Sequence, residues 1–216
     1  MTTTAPLTAE TAEPAPLYLD LGCGKNPRID KDQAGNVVRT WEGVDRIDFG
    51  QKHVINLVER GDDADAQFGR QFKRWPWADE SVDEVWSSHF FEHLEVAERV
   101  HFINELYRVL KWGGKASIVT PSGTNFCAYG DPTHKWPPLF DWAANYWWKQ
   151  WRDANAPHAD AANDPVYGYS CDFDFVIGWS PDGNIASFNQ ERQLHMAKHS
   201  WNSMRDLWFN LTKTKR

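Results

Sequence analysis

The segment Leu17-Tyr18-Leu19-Asp20-Leu21-Gly22-Cys23-Gly24 constrains this chain more than any other. Strand-type residues run up to an acid and then stop on a spaced glycine pair. Glycine has no Cβ, so Gly22 and Gly24 can take open backbone angles at a strand tip and let a ligand approach the main chain. A G-x-G alone is weak, because ordinary strand-to-helix turns carry it too. The following residues narrow it. A dinucleotide site places a third glycine three residues further on, where a helix packs against the strand and faces a pyrophosphate; Pro27 stands there. About twenty residues on, Trp41-Glu42-Gly43-Val44-Asp45 is a second apolar stretch ending in an acid, the distance at which a neighbouring strand tip offers a carboxylate to both ribose hydroxyls. Glycine pair and spaced acid together point to a nucleoside site without a pyrophosphate.

Apolar runs alternate with a helical pattern, which predicts an α/β fold with a mostly parallel, doubly wound sheet. Strands are expected near 17–21, 41–45, 53–57, 82–87 and 115–120. A helix is expected over 96–110, with Val96, Val100, Ile103, Tyr107 and Leu110 along one face and Gly113-Gly114 ending it. Residues 122 to about 171 read as an irregular, Pro- and Trp-rich insertion with one helix near 139–151. Asp172–Trp179 reads as a strand, Ser180-Pro181-Asp182-Gly183-Asn184 as a turn, and Ile185–Leu194 as an antiparallel return. Ser200 is placed to cap a final helix through Leu211.

At this point the chain resembles the class I S-adenosylmethionine-dependent methyltransferases of the type 11-like subgroup. Beyond the glycine turn and Asp45, residues 75–89 are similar to that family's fourth strand and its lead-in loop. Phe91-Glu92-His93-Leu94 is similar to its E-H-L, and residues 104–114 to its helix and glycine turn before the fifth strand. The resemblance covers roughly residues 17–121 well and the remainder weakly. It implies a Rossmann-like, seven-stranded sheet with an antiparallel C-terminal hairpin, and S-adenosylmethionine as cofactor. Carried over residue by residue, Asp20 would order the glycine turn near the methionine amine. Gly22, Cys23 and Gly24 would present backbone, and Asp45, with Arg46 beside it, would take the ribose. Asn56 and Leu57 would flank the adenine, and Ser87 and His89 would face the sulfonium end. Two departures stand out. Residues 26–40 carry no helical periodicity and are interrupted by Pro27 and Gly35, so the first crossover helix is expected to be shortened or replaced by a loop. Where the family often has an acid after the third strand, this chain has Asn56-Leu57, followed by an acidic insertion over 59–65.

Length and charge exclude other classes. The chain of 216 residues suits one domain, taken as 17–216 after a disordered Thr/Ala/Pro/Glu tail at 1–16. No apolar run is long enough to span a membrane, and a formal net charge of −7 argues against wrapping nucleic acid by phosphate neutralisation. Cys23, Cys127 and Cys171 have neither metal nor disulfide spacing, which fits a reducing cytoplasm and calls for no metal. Thirteen tryptophans are the outlier, five of them (Trp136, Trp142, Trp147, Trp148 and Trp151) within sixteen residues. They suit either an aromatic subcore or an acceptor pocket that stacks on a sugar or aromatic ring, or a subunit interface.

The acceptor side rests on Tyr129-Gly130-Asp131-Pro132-Thr133-His134, just past the fifth strand. It is similar to the D-P-T-H segment of several methyltransferases that act on sugars or polysaccharide ends. An imidazole titrates near neutrality, so His134 could take a hydroxyl proton, with Asp131 orienting it; a plain turn with a surface histidine is the alternative. His93 is the second candidate, as a base or as a loop brace. Trp136-Pro137-Pro138-Leu139 superficially resembles the motif of amino-group DNA methyltransferases, but it follows the wrong strand and lacks the leading acid or amide. The expected function is O- or N-methylation of a small polar or glycan acceptor. Methylation of protein or RNA, or a catalytically silent binding or assembly module with this fold, are the alternatives. Oligomeric state is not legible.

Overall fold

The computed structural model describes residues 15–62, 71–155 and 168–215. Residues 1–14 of the expected tail, part of the acidic insertion and part of the Trp-rich insertion lie outside them. The strands are β1 (Tyr18–Leu21), β2 (Ile29–Lys31), β3 (Val37–Thr40), β4 (Glu42–Asp45), β5 (His53–Val54), β6 (Val82–Ser88), β7 (Leu110–Pro121), β8 (Phe173–Pro181) and β9 (Met204–Lys213). The principal helices are α1 (Val96–Val109), the single turn α2 (Cys127–Gly130), α3 (Lys149–Ala154) and α4 (Gln190–His199).

Seven strands form one sheet in the order β5-β4-β1-β6-β7-β9-β8. The β4–β1 and β1–β6 pairs are parallel, in a register that sets Asp20 beside Gly43 on one side and Trp86 on the other. Strands β7, β9 and β8 pair antiparallel. The Rossmann-like, mostly parallel sheet with its antiparallel C-terminal pair is therefore as expected. Because β1's neighbours continue in opposite directions, a crevice opens beyond the carboxyl ends of β1, β4 and β6, where sheets of this kind bind ligands.

Side-chain alternation assigns the two faces. Leu19, Leu21 and Val85 are fully buried in the main core with Phe102, Ile103 and Leu106 of α1. Helix α1 begins with a capping box, the Glu95 backbone N–H donating to the Glu98 carboxylate at 2.7 Å. Its buried stripe is Arg99, Phe102, Ile103, Glu105, Leu106 and Val109, not the expected line through Val96, which is exposed. The stripe is rotated because two polar residues share it. Glu105 accepts the Trp75 backbone N–H at 2.7 Å and Arg108 at 2.5 Å, and Arg99 binds three loop carbonyls. Nor does the glycine pair end this helix. Leu110 turns directly into extended backbone, and Gly113, at φ +82°, lies within β7 beside a register shift in its pairing with β6.

The opposite face carries an unusual cover. Between β1 and β4 the chain forms the antiparallel β2–β3 hairpin instead of a crossover helix. The Asp32 carboxylate accepts the N–H groups of Ala34 and Asn36, each at 2.9 Å, around Gly35 at φ +87°. Arginines replace an apolar helix face: Arg28 lies 3.9 Å above the Trp86 ring and Arg39 4.3 Å above Tyr18. The first helix, expected to be shortened or replaced by a loop, is thus replaced by a hairpin.

The C-terminal expectations are corrected. Residues 190–199 are helical, capped by the Asn189 side chain accepting the Arg192 N–H at 2.9 Å, and do not return as a strand. Residues 204–213 are strand β9, not a helix, because Met204, Leu207, Phe209, Leu211 and Lys213 are buried with a period close to two. In the insertion, Trp147 is fully buried against Phe91 and Phe209, whereas Trp136 and Trp142 are exposed. The tryptophan cluster is thus divided between core and surface. Among the described residues no helix is long and apolar enough to cross a membrane.

Candidate functional site

A cleft of about 770 Å³ opens beyond β1 and β4, lined by Gly22, Asp45, Arg46, Ile47, Asn56 and Leu57 on one side. His93, Glu98, Pro132, Thr133 and Lys135 line its other lip. A smaller lobe of about 440 Å³ adjoins it, bounded by Asp20, Cys23, Asn26, Arg28, Trp86 and Ser88. Gly22 lines both lobes.

The glycine turn has the open backbone angles the sequence implies, with φ +75° at Gly22 and +56° at Gly24. Its surroundings differ at the two positions. A Cβ on Gly24 would meet nothing within 4 Å, whereas one on Gly22 would stand 2.3 Å from Cγ of Phe90. Phe90, not anticipated from the sequence, therefore packs on the Gly22 backbone at the junction of the lobes. Asp45 draws the turn to β4: one carboxylate oxygen accepts the Gly24 N–H and the other the Ile47 N–H, both at 3.0 Å. Each oxygen keeps a lone pair for a further donor.

Asp20 is buried and accepts the Arg28 backbone N–H at 2.8 Å. Burial pushes its carboxyl up to about 6, against the opposing pull of that hydrogen bond and of the Arg28 charge. Cys23 is pushed up to about 11 by burial and by the Asp20 and Asp45 charges, so its thiol stays protonated and serves as a small filler beside Gly43. Arg28 is paired with Asp30 at 2.8 Å and stacked on Trp86, which fixes it at the edge of the smaller lobe.

Ser87 and His89, both expected at the sulfonium end, differ in placement. Ser87 is fully buried, its hydroxyl donating to the Leu21 carbonyl at 2.9 Å, so it braces β6 to β1 and does not face the cleft. His89, at φ +53°, turns its ring toward acids: Nδ1 lies 3.2 Å from Glu92 and Nε2 3.8 Å from Asp206. The Glu92 hydrogen bond raises its pKa. Asn56 is on the cleft wall with its side-chain oxygen accepting the Val58 N–H at 3.2 Å, and Leu57 lies buried beside it.

On the other lip, the 131–134 segment is an Asx turn. Asp131 Oδ1 accepts the Thr133 N–H at 2.8 Å and its hydroxyl at 2.7 Å, which holds the carboxyl below its usual range. Its other oxygen is 3.9 Å from His134 Nε2, too far to orient the ring. That task falls to the Ala128 carbonyl, 3.3 Å from His134 Nδ1. The His134 side chain is only 11% exposed, and its ring meets that of His93 edge-on at 4.9 Å. His93 Nδ1 lies 3.0 Å from the Thr133 hydroxyl oxygen. Because that hydroxyl donates its proton to Asp131, the oxygen must accept from His93. Carbonyl and hydroxyl oxygen thus each take an Nδ1–H, so in the neutral form of either ring the lone pair is on Nε2.

Residues 19–118 match the family described as Methyltransferase domain. Residues 19–118 carry a class I S-adenosylmethionine-dependent methyltransferase domain. Among solved structures, a SAM-dependent methyltransferase from Archaeoglobus fulgidus superposes with a TM-score of 0.54 at 17% identity, covering 92% of this chain and 86% of that one. Geranyl diphosphate C-methyltransferase from Streptomyces coelicolor A3(2) reaches 0.43 at 14% identity, over 93% and 73% of the two chains. That second likeness is too distant to bear on the fold. No curated protein matches the sequence. The cofactor of this methyltransferase domain is S-adenosylmethionine. The site suits it: Gly24 presents bare backbone, and the two lobes meet at a glycine.

Proposed function

We propose that this methyltransferase modifies a hydroxyl or amino group of a small polar or glycan acceptor, in the cytoplasm. In this reading Asp45 and Arg46 hold the ribose, Asn56 and Leu57 flank the adenine, and Asp20 with Arg28 receives the amino-acid end. Bound S-adenosylmethionine supplies a methyl group on a sulfonium, activated because its leaving group departs neutral. What remains for the protein is to align the acceptor, exclude water and receive the acceptor's proton.

The observation that carries this reading is the His93–His134 ring pair, with His93 lining the cleft and each Nδ1–H held by an oxygen so that Nε2 is the nitrogen left to accept a proton. His134 Nε2 takes the acceptor's proton, with His93 beside it; Asp131 holds the turn and sets a negative charge nearby. Exposed aromatics gather around the segment that follows β7. Tyr129 stacks on Trp201 at 5.7 Å and donates to the Gly123 carbonyl at 2.9 Å, and the Phe140 ring packs against Gly123. Trp136, 75% exposed, stands two residues beyond His134. Flat apolar faces beside a proton acceptor favour a sugar or aromatic ring over a polyanion, and the acidic chain points the same way. Three free cysteines support a reducing compartment.

A labelled-methyl transfer screen across extracted small molecules, glycans, proteins and nucleic acids tests the proposal. Label in the small-molecule or glycan fraction is expected. Label confined to protein or RNA sinks the acceptor class, and label in no fraction favours a silent module.

A further inference from the structure

The acceptor lip holds more than a histidine pair. One ligand atom from each of Glu92, His93 and His134 lies within 4.8 Å of the other two. No sequence spacing announces this set, since His93 and His134 are forty-one positions apart and meet only through the fold. Glu92 is 6% exposed. One of its carboxylate oxygens lies 3.2 Å from His89 Nδ1, while the other, Oε2, is sealed from solvent with no hydrogen-bond partner. A buried carboxylate oxygen without a donor is costly, and an arrangement that retains one calls for a positive partner. The Nδ1 atoms of the two imidazoles are turned to the Ala128 carbonyl and the Thr133 hydroxyl, which leaves Nε2 as the nitrogen available to a metal. Such an outer hydrogen bond is how metal-bound histidines are oriented. Asp131 Oδ2, 3.9 Å from His134 Nε2, supplies a second carboxylate at the rim.

We propose that Glu92, His93 and His134 form a binding site for a divalent transition-metal ion of the zinc class. Two nitrogens and one carboxylate match zinc-type coordination with an open position, whereas magnesium and calcium prefer all-oxygen shells. His93 lines the cleft, so the open position faces the acceptor. What the ion does there rests on the reading of this lip as the acceptor site; its binding does not. With the ion in place the Nε2 lone pairs are engaged and the imidazoles no longer take the proton; the metal instead acidifies an acceptor hydroxyl bound at its open position, which loses its proton to solvent water.

Zinc titration of the chelator-stripped full chain by calorimetry, with elemental analysis after desalting, tests the site without any methyl-transfer assay. One ion per chain is expected, with affinity falling at least about tenfold in Glu92→Gln and in His134→Gln, and magnesium giving no heat. Circular dichroism identifies variants that retain the fold. The His195–His199 ring pair on α4, at 4.7 Å, is a second place to which zinc can bind. Binding abolished by His195→Ala/His199→Ala but kept in Glu92→Gln overturns the proposal, as does the absence of binding to the unaltered chain. A chain that binds zinc at Glu92 but methylates only protein or RNA keeps the metal site and refutes the acceptor reading.

Discussion

The Arg99 guanidinium donates to the Pro137 carbonyl at 2.6 Å and so joins helix α1 to the acceptor loop. The same side chain reaches the Lys135 and Glu92 carbonyls at 3.0 and 3.3 Å, and the Lys135 N–H returns to the Glu92 carbonyl at 2.9 Å. A single buried arginine therefore determines how His93 and His134 come together. Arg99→Met removes the guanidinium from three carbonyls, of which only that of Glu92 keeps another donor named here, the Lys135 N–H, and is expected to cost about 2–4 kcal/mol, read as a lower urea midpoint. Methyl transfer should fall more than cofactor binding, and Arg99→Lys should recover part of it. Unchanged turnover in a destabilised Arg99→Met would make the arginine a scaffold residue only.

His134→Ala should abolish methyl transfer while the affinity for S-adenosylhomocysteine stays within about twofold, since the residue lies on the acceptor lip. Steady-state rates and calorimetry on the same preparation separate the two effects. Equal turnover would remove His134 from the chemistry.

Asp45→Ala removes the acceptor of the Gly24 and Ile47 N–H groups along with the proposed ribose contacts. S-adenosylhomocysteine binding should weaken roughly ten- to hundredfold, from hydrogen bonds to a charged group worth about 1.5–3 kcal/mol each. Calorimetry that finds the affinity intact would place the ribose elsewhere.

Asp20 gives a pH signature. Its pKa rises from 3.8 in the unfolded chain to about 6 in the fold. The stability associated with its protonated form is therefore full below about pH 4 and lost as pH climbs through about 6. Asp20→Asn should erase that dependence and stabilise the free protein at neutral pH, by at most on the order of 3 kcal/mol. An ammonium ligand needs the ionised form, so cofactor affinity should rise between about pH 5 and pH 7 in the native protein and stay flat in the variant. A flat profile in both would detach Asp20 from the amine.

Gly22→Ala forces a Cβ to within 2.3 Å of the Phe90 ring at φ +75°. It should destabilise the fold by about 1–3 kcal/mol, and Phe90→Ala in the same chain should restore part of the loss. Additive effects of the two changes, measured by denaturant unfolding, would show that the contact carries no energy.

Much of the scaffold was readable because its signals are local. The runs at Leu19–Leu21 and Val82–Val85 are apolar and end in turn residues, and they became strands close to where they were expected. Helix α1 was placed correctly but its buried stripe was not, because Arg99 and Glu105 count as polar in any periodicity while serving as interior fasteners. The final strand was missed for a related reason. Its alternation is carried by Met204, Leu207, Phe209 and Leu211, with Lys213 buried at its end donating to the Leu110 carbonyl at 2.9 Å, and a helical cap at Ser200 competed with it. In the site, the glycine turn and Asp45 stand at the tips of adjacent strands and meet through the Gly24 N–H. Glu92 beside His134 and Phe90 on Gly22 depend on tertiary distances that no spacing in the chain encodes. Arg28 left one clue, its place directly after the Pro27 that breaks the first helix.

The β2–β3 hairpin has a lasting electrostatic consequence. A helix beginning after the glycine turn would aim fixed backbone dipoles at an incoming carboxylate. In the function proposed here that anion would instead meet Arg28, a full charge on a side chain already shared with Asp30. Anion capture in this methyltransferase thus becomes an exchange between competing ion pairs, sensitive to ionic strength in a way that a helix terminus buried beneath its ligand is not.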